Sequence, residues 1–393
     1  MILMKKARQS QPIPRFLPRL ASTYQFLSLQ LFSVLLLLAL LNAFAYFFLA
    51  KPAPEAETNA VFRKYKIDLG AYYPGWDPGD VNALLNETWS RTLVFEPFTQ
   101  FTEPASRGRF VNVSEHGFRF GKVQGPWPID PAYLNIFFFG GSTAFGYGVA
   151  DEDAIPSQLQ AMLADKAGKK QVRVYNFGRS HYYSSQERAL FAKLLATGAA
   201  PDLAIFLDGL NEFYYASDEP LYSDEFRSLT SGKYNRFGSM LYETLRLQPI
   251  ARPLVGLRDS LRAKTATAPA APAEFRDDAV VDPVISRYLR NQKLIRGLAA
   301  SFQVETLFVL QPVPTHGYDL RRHIFSAAGF GRHGHSGYGY EKLLRPGTKH
   351  AKDFVSCAAA DKRSEWPHYI DIVHYTAGMS NAIAACISER IFR

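Results

Sequence analysis

Cysteine is scarce in this sequence: Cys357 and Cys386 stand alone among 393 residues. One internal disulfide is therefore the most the chain can form, and a buried free thiol at Cys386, inside the apolar helical run SNAIAACISERI, is an equal alternative. Acid is missing from the first fifty residues, where Lys5, Lys6, Arg8, Arg15 and Arg19 are unopposed, and charge of either sign is missing between Arg19 and Lys51. Setting those five cations aside leaves +4 of the formal +9 for everything beyond, too mild a balance for nucleic acid binding. No internal repeat is present, and a hydrophobic share of 47% excludes a disordered chain.

The uncharged stretch FLSLQLFSVLLLLALLNAFAYFFLA, residues 26–50, can span a bilayer, since roughly 20 residues rising ~1.5 Å each cross the hydrocarbon layer. The basic segment 1–25 before it is expected to stay in the cytoplasm, which places residues 51–393 on the periplasmic or extracellular side. Ala43-Phe44-Ala45 has the small-x-small pattern of a signal-peptidase site, but signal h-regions run only about 7 to 15 residues, so an uncleaved single-pass anchor is the reading.

Beyond the anchor, residues 51–131 divide into a Pro- and Ala-rich tether and an aromatic, Gly/Pro-punctuated stretch that predicts irregular structure. From 132 to 393 the grain changes. YLNIFFFGG (133–141), VRVYNFG (172–178), LAIFLDG (203–209) and TLFVLQPVP (306–314) are continuous apolar runs ending in Gly or Pro, as strands buried on both faces require. Helical spacing between the first three predicts right-handed crossovers and a parallel sheet covered on both sides. Two insertions interrupt it. Residues 214–285 carry an expected helix near 236–262 and the low-complexity AKTATAPAAPAEF, and residues 316–352 form a Gly- and His-rich segment whose histidines are read as mobile surface loop; both hang off strand ends, where lids and substrate walls are found.

In an open parallel sheet the ligand crevice lies beyond the carboxyl ends of the strands. The runs deliver Ser142, Gly178 and Asn211 there, and YIDIVHYTAG near the C-terminus adds Asp371 and His374, three apart, ahead of a terminal helix. Such a carboxylate can orient one imidazole nitrogen while the other faces a hydroxyl. Gly140 and Gly141 would leave the Ser142 hydroxyl uncrowded, and the N–H groups of Ser142 and Gly178 with the Asn211 amide would serve an oxyanion.

In this order, Gly141-Ser142, Gly178, Gly209-Leu210-Asn211 and Asp371-Ile-Val-His374 resemble the blocks of the SGNH (GDSL-type) esterases and acyltransferases. The resemblance spans about residues 133–392 and, with the anchor, is similar to membrane-tethered bacterial members. It implies a flavodoxin-like three-layer α/β/α sandwich, a catalytic set of Ser142, Asp371 and His374, and no cofactor. Two positions depart from the family pattern: Gly141 where the family's Gly-Asp-Ser block has Asp, and Glu212 where its Gly-x-Asn-Asp block has the last Asp. Neither is the nucleophile, the base or the oxyanion amide.

Competing readings are fewer. Gly141-Ser-Thr-Ala-Phe-Gly146 has the glycine spacing of a phosphate loop, but Tyr147 stands where the lysine is needed. His316, His323, His333 and His335 lack a compact metal-ligand pattern, so no metal is expected. The aromatics of NEFYYASDEPLYSDEF either fill core or stack on sugar rings. The reading reached is a membrane-anchored extracytoplasmic serine esterase acting on an acyl ester of a carbohydrate or lipid. The alternatives are an O-acyltransferase for an exported polysaccharide, which would need a multi-span membrane partner to deliver the acyl group, and a catalytically silent binding or assembly protein.

Overall fold

The computed structural model describes residues 16–49, 59–65, 67–164, 170–231 and 275–391. The basic residues 1–15, the tether 51–58, and the expected helix near 236–262 with nearly all of AKTATAPAAPAEF lie outside the described residues. The chain divides into two units, residues 1–52 with 233–266 and residues 53–232 with 267–393.

In the first unit, helix α1 (Phe16–Phe44) is prolonged by a wider turn over Ala45–Leu49. Its stretch Ser22–Phe47 is 26 residues long and apolar enough to cross a membrane. Phe32, Leu35, Leu37 and Leu40 are exposed, so the apolar surface is not spent on a core among the described residues.

The second unit begins with a short helix over Ala60–Tyr65, followed by α2 (Pro78–Trp89). Asp77 caps α2 by accepting from the Gly79 N–H at 2.8 Å, and Pro78 occupies the first turn, where its missing N–H costs nothing. A regular helix therefore stands inside a region whose sequence predicts irregular structure. It buries Leu84 and Leu85 in a cluster with Val113, Phe145 and Ile370, a partnership that its mixed composition does not announce.

The sheet has five strands, all parallel: β1 (Leu134–Gly140), β2 (Val172–Asn176), β3 (Leu203–Asp208), β4 (Glu305–Leu310) and β5 (Phe354–Ser356), in the order β2-β1-β3-β4-β5. This 2-1-3-4-5 order is the flavodoxin-like one, with its switch point beside β1. Pleating splits the opening apolar run between two layers. Ile136 and Phe138 face helices α4 (Ile155–Leu163) and α9 (Ala377–Ile391), while Phe137 and Phe139 face α5 (Ser184–Ala196) and α7 (Asp278–Ser301). On the second face, register places Phe139 opposite Phe206 and Phe206 opposite Phe308, and their rings stack at 4.9 and 5.3 Å across three strands.

Two elements escape a sequence reading. Strand β5 is three residues at the sheet edge, too short to show a pattern. Helix α7, capped by Asp277, is heavily charged and begins within the stretch read as an insertion, yet Ile295 and Ala299 seal the second face. Cys357, just after β5, is bridged to Cys386 of α9, with 6.0 Å between Cα atoms.

Candidate active site

At the carboxyl end of β1 the chain turns through Gly140 and Gly141 into the one-turn helix α3 (Ser142–Phe145). These glycines serve the neighbours of Ser142 more than its hydroxyl. A Cβ on Gly141 would lie 2.4 Å from Asn211 Nδ2 and 3.1 Å from the Tyr182 carbonyl, and one on Gly140 would lie 2.5 Å from the Ala144 Cβ. Behind α3, the fully buried Arg119 holds the turn. Its Nη1 donates to the carbonyls of Phe145 and Gly146 at 2.9 and 2.7 Å, Nη2 to Val149 at 2.7 Å, and Nε to Asp151 at 2.7 Å.

Ser142, Asp371 and His374 meet. His374 Nε2 lies 2.8 Å from Ser142 Oγ, and His374 Nδ1 lies 2.7 Å from Asp371 Oδ2. The other carboxylate oxygen accepts from the backbone N–H groups of Val373 and His374 at 2.8 and 2.7 Å. Burial pushes the Asp371 carboxyl up, but the His374 charge and these hydrogen bonds outweigh it and hold the pKa down at about 2. A carboxylate ionised at every working pH keeps the proton on Nδ1 and leaves Nε2 to accept from Oγ–H. Tyr147 stacks on the His374 ring at 5.4 Å and 23°, and Trp89 meets it edge-on at 5.4 Å and 87°, so two aromatic walls fix the imidazole plane.

Asn211 opens helix α6 (Leu210–Tyr214) after β3, and its Nδ2 donates one hydrogen to the Tyr182 carbonyl at 2.8 Å, leaving the second beside the Gly141 backbone. Gly178 requires a correction. Its N–H donates to Asn176 Oδ1 at 2.9 Å, and a Cβ there would lie 2.3 Å from the Phe145 backbone nitrogen. That glycine packs beneath the nucleophile turn and does not line the cleft. The residues of this loop that do are Ser180 and His181, and the φ of 59° at His181 places a side chain in the left-handed region. Among the described residues neither the His181 N–H nor the Ser142 N–H has a partner.

The order of these blocks at successive ends of a 2-1-3-4-5 sheet, with the first and last in hydrogen-bond contact, decides the fold type. The fold is a flavodoxin-like three-layer α/β/α sandwich. No family model matches the chain, and no curated protein matches it in sequence. Among solved structures it is similar to a putative lipolytic protein of the G-D-S-L family from Desulfitobacterium hafniense DCB-2, at 12% identity and TM-score 0.33 over 66% of this chain and 99% of that one. It is also similar to a lipolytic G-D-S-L family member from Veillonella parvula DSM 2008, at 11% identity and TM-score 0.37 over 66% and 98%, and to the acetylxylan esterase Axe2 from Geobacillus stearothermophilus, at 12% and 0.34 over 66% and 94%.

The site opens into a cleft of about 810 Å³. Its walls draw on residues that the sequence did not single out. Trp89 and Arg91 come from the region read as irregular, and Arg91 Nε donates to the buried Glu103 at 3.2 Å, which also accepts from the Ser180 N–H at 3.0 Å. The Gly- and His-rich segment supplies cleft wall, as its place beyond a strand end implies, but the reading of its histidines as mobile surface groups is corrected for two of them. His323 is buried and stacks on Tyr369 at 4.9 Å, while His333 lines the cleft against Tyr214 at 4.8 Å. Its glycines pattern like a loop, yet its aromatic rings find partners in the core. Burial, aided by the His374 charge, pushes both His181 and His333 down to about 4, so both are neutral imidazoles.

Glu212, the departure from the SGNH pattern, points away from the cleft. Its Oε1 accepts from the Ser184 N–H at 2.6 Å, beneath the α5 start, beside buried Glu187 and Asp208. Burial and mutual repulsion push the Glu187 and Asp208 carboxyls well above the ordinary range.

Proposed function

We propose that the chain is a membrane-anchored serine esterase that acts outside the cytoplasm through an acyl-enzyme, on an acyl ester of a carbohydrate or lipid. The single observation that supports this most is the continuous relay Ser142 Oγ, His374 Nε2, His374 Nδ1, Asp371 Oδ2, at 2.8 and 2.7 Å. A silent scaffold has no use for a buried carboxylate, an aromatic-clamped imidazole and a hydroxyl held in line.

In this reading Ser142 Oγ attacks the ester carbonyl as His374 Nε2 takes its proton, and Asp371 stabilises the imidazolium. The tetrahedral oxyanion forms beside the Asn211 amide and the unpartnered N–H groups of Ser142 and His181, the last in the role first expected of Gly178. His374 returns the proton to the departing alcohol, the acyl group stays on Ser142, and a hydroxyl-bearing acceptor activated by the same imidazole releases it. The cations preceding α1 and the acid-containing segment after Lys51 support an outward-facing catalytic unit.

The test is fluorophosphonate labelling of the detergent-solubilised full chain together with p-nitrophenyl acetate turnover. Label is expected on Ser142, with Ser142→Ala and His374→Ala each lowering turnover by about 10³-fold or more, because such residues act as a unit. Near-normal turnover by folded Ser142→Ala protein would return the silent scaffold to first place.

A further inference from the structure

The charge inventory of the cleft is lopsided. Among the described residues lining it, the one acid is Asp371, whose two oxygens are taken by His374 and by two backbone N–H groups. Of the three Lys and Arg side chains, Arg91 is spent within the protein, on Glu103, Ser106 Oγ and the Pro104 carbonyl. Arg332 and Lys64 have no carboxylate partner among the described residues. His181 and His333 are neutral and add no charge of their own.

Each of the two free cations stands against an aromatic ring of the cleft lining. The Arg332 guanidinium sits 5.6 Å from the Tyr214 ring centroid, and Tyr214 ends the one-turn helix that begins beside Asn211. Lys64 Nζ lies 4.9 Å from the Tyr65 ring, whose hydroxyl is buried near Asp371 without a hydrogen-bond partner. The lining also holds the aromatic rings of Trp89, Tyr214 and Tyr222 and the hydrogen-bonding groups of Ser180, His181 and His333. Rings together with neutral hydrogen-bonding groups suit a hydroxylated ring, whereas an acyl-chain lipid needs a continuous apolar channel. A planar guanidinium set against a ring face at the exposed edge of the cleft, with no carboxylate of its own, favours a ligand carboxylate through charge-assisted, bidentate hydrogen bonds.

We infer that the cleft recognises an O-acylated acidic sugar unit, with Arg332 as the principal group binding the sugar carboxylate and Lys64 as the second cation. This rests on the esterase reading for its chemistry, but recognition can be measured without turnover.

Full-length Ser142→Ala protein in neutral detergent micelles is titrated calorimetrically with methyl glucuronide and with methyl glucoside, which differ by the carboxylate. The glucuronide is expected to bind about tenfold more tightly at low salt, with the preference shrinking towards parity near ~0.5 M salt, where the screening length falls below ~5 Å. Arg332→Gln should reduce the preference to twofold or less, and Arg332→Lys should keep part of it. The side chain is exposed, so these variants should fold. Equal binding of the two glycosides, or an unchanged preference in Arg332→Gln, overturns the inference. Arg332-dependent binding of phosphatidylglycerol vesicles with no glucuronide binding also overturns it, in favour of a lipid headgroup. In parallel, the O-acetylated forms of both glycosides are given to the unmutated protein. Failure to turn over either one counts against the esterase reading alone, because the binding preference is read independently.

Discussion

Gly141→Ala is the change that best isolates what the fold does for the site. Gly141 has ordinary negative φ, so an alanine meets no backbone strain there, only space. The added Cβ would lie 2.4 Å from Asn211 Nδ2, and ordinary contact begins at 3.4 Å, so the amide must retreat by about 1 Å. The retreat breaks the 2.8 Å bond to the Tyr182 carbonyl and withdraws the proposed side-chain oxyanion donor from Ser142. A misplacement of ~1 Å at a reacting centre costs on the order of 10² in rate, and overpacking costs about 1 to 3 kcal/mol of stability. The assay is kcat/KM for p-nitrophenyl acetate with a thermal melt on the same protein. The decisive comparison is the double variant. In Gly141→Ala/Asn211→Ala the clash is gone, so its activity should match that of Asn211→Ala, itself down by about 10² to 10³, and most of the lost stability should return. Additive losses in the double variant, or full activity in Gly141→Ala, would refute the argument that Gly141 exists to admit the Asn211 amide.

Asp371→Asn should lower kcat by about 10³ to 10⁴ while fluorophosphonate still reaches Ser142 slowly, because the amide cannot hold the proton on Nδ1; an unaltered pH–rate profile would contradict the relay. Since the Asp371 pKa is lowered in the fold, its stabilising contribution is complete above the unfolded value of ~3.9 and is lost as pH falls towards about 2, so the thermal melt should drop between pH 4 and pH 2 in the unmutated protein and by less in Asp371→Asn. Glu187 behaves oppositely: its raised pKa means that stability is complete below the unfolded carboxyl value and is lost as pH rises from there through the raised folded one, so Glu187→Gln should raise Tm at pH 8 by several degrees and flatten the pH dependence. A melt that is equally pH-dependent in the variant would remove that cluster from the account. Replacing Cys357 and Cys386 by serine opens a bridge with a sequence separation of 29 and should cost about 3.5 kcal/mol by loop entropy, measured by denaturant titration; two freely alkylated thiols in unreduced, denatured protein would show that no bridge forms.

Several features are legible in the sequence because they arise from local pattern. The uncharged run after Arg19, the strands around Phe137, Val174 and Phe206, and the spacing of Asp371 and His374 each depend on residues close together in the chain. Glycine punctuation marks the strand ends and so draws attention to Ser142 and Asn211. The same rule misleads at Gly178, where the glycine serves close packing under Phe145, and in the segment around His323 and His333, where a loop-like composition hides rings that have core partners. Ser180, which on sequence is only a hydroxyl past the second strand, has its N–H on Glu103 at the cleft wall.

By itself, the sequence determined the alternation of buried strand and covering helix, the apolar N-terminal helix, and the identity of the groups able to act as nucleophile, base and orienter, because periodicity and residue chemistry are properties of neighbours. Tertiary structure alone decided that Ser142 and His374, separated by 232 positions, stand 2.8 Å apart, that Trp89 and Tyr147 clamp the imidazole, that Arg119 anchors the nucleophile turn from the preceding region, and that His181, not Gly178, borders the cleft. Those outcomes depend on strand order, on which face each side chain takes, and on how closely backbones approach. Such quantities are fixed by packing between distant segments, for which no local pattern exists to be read.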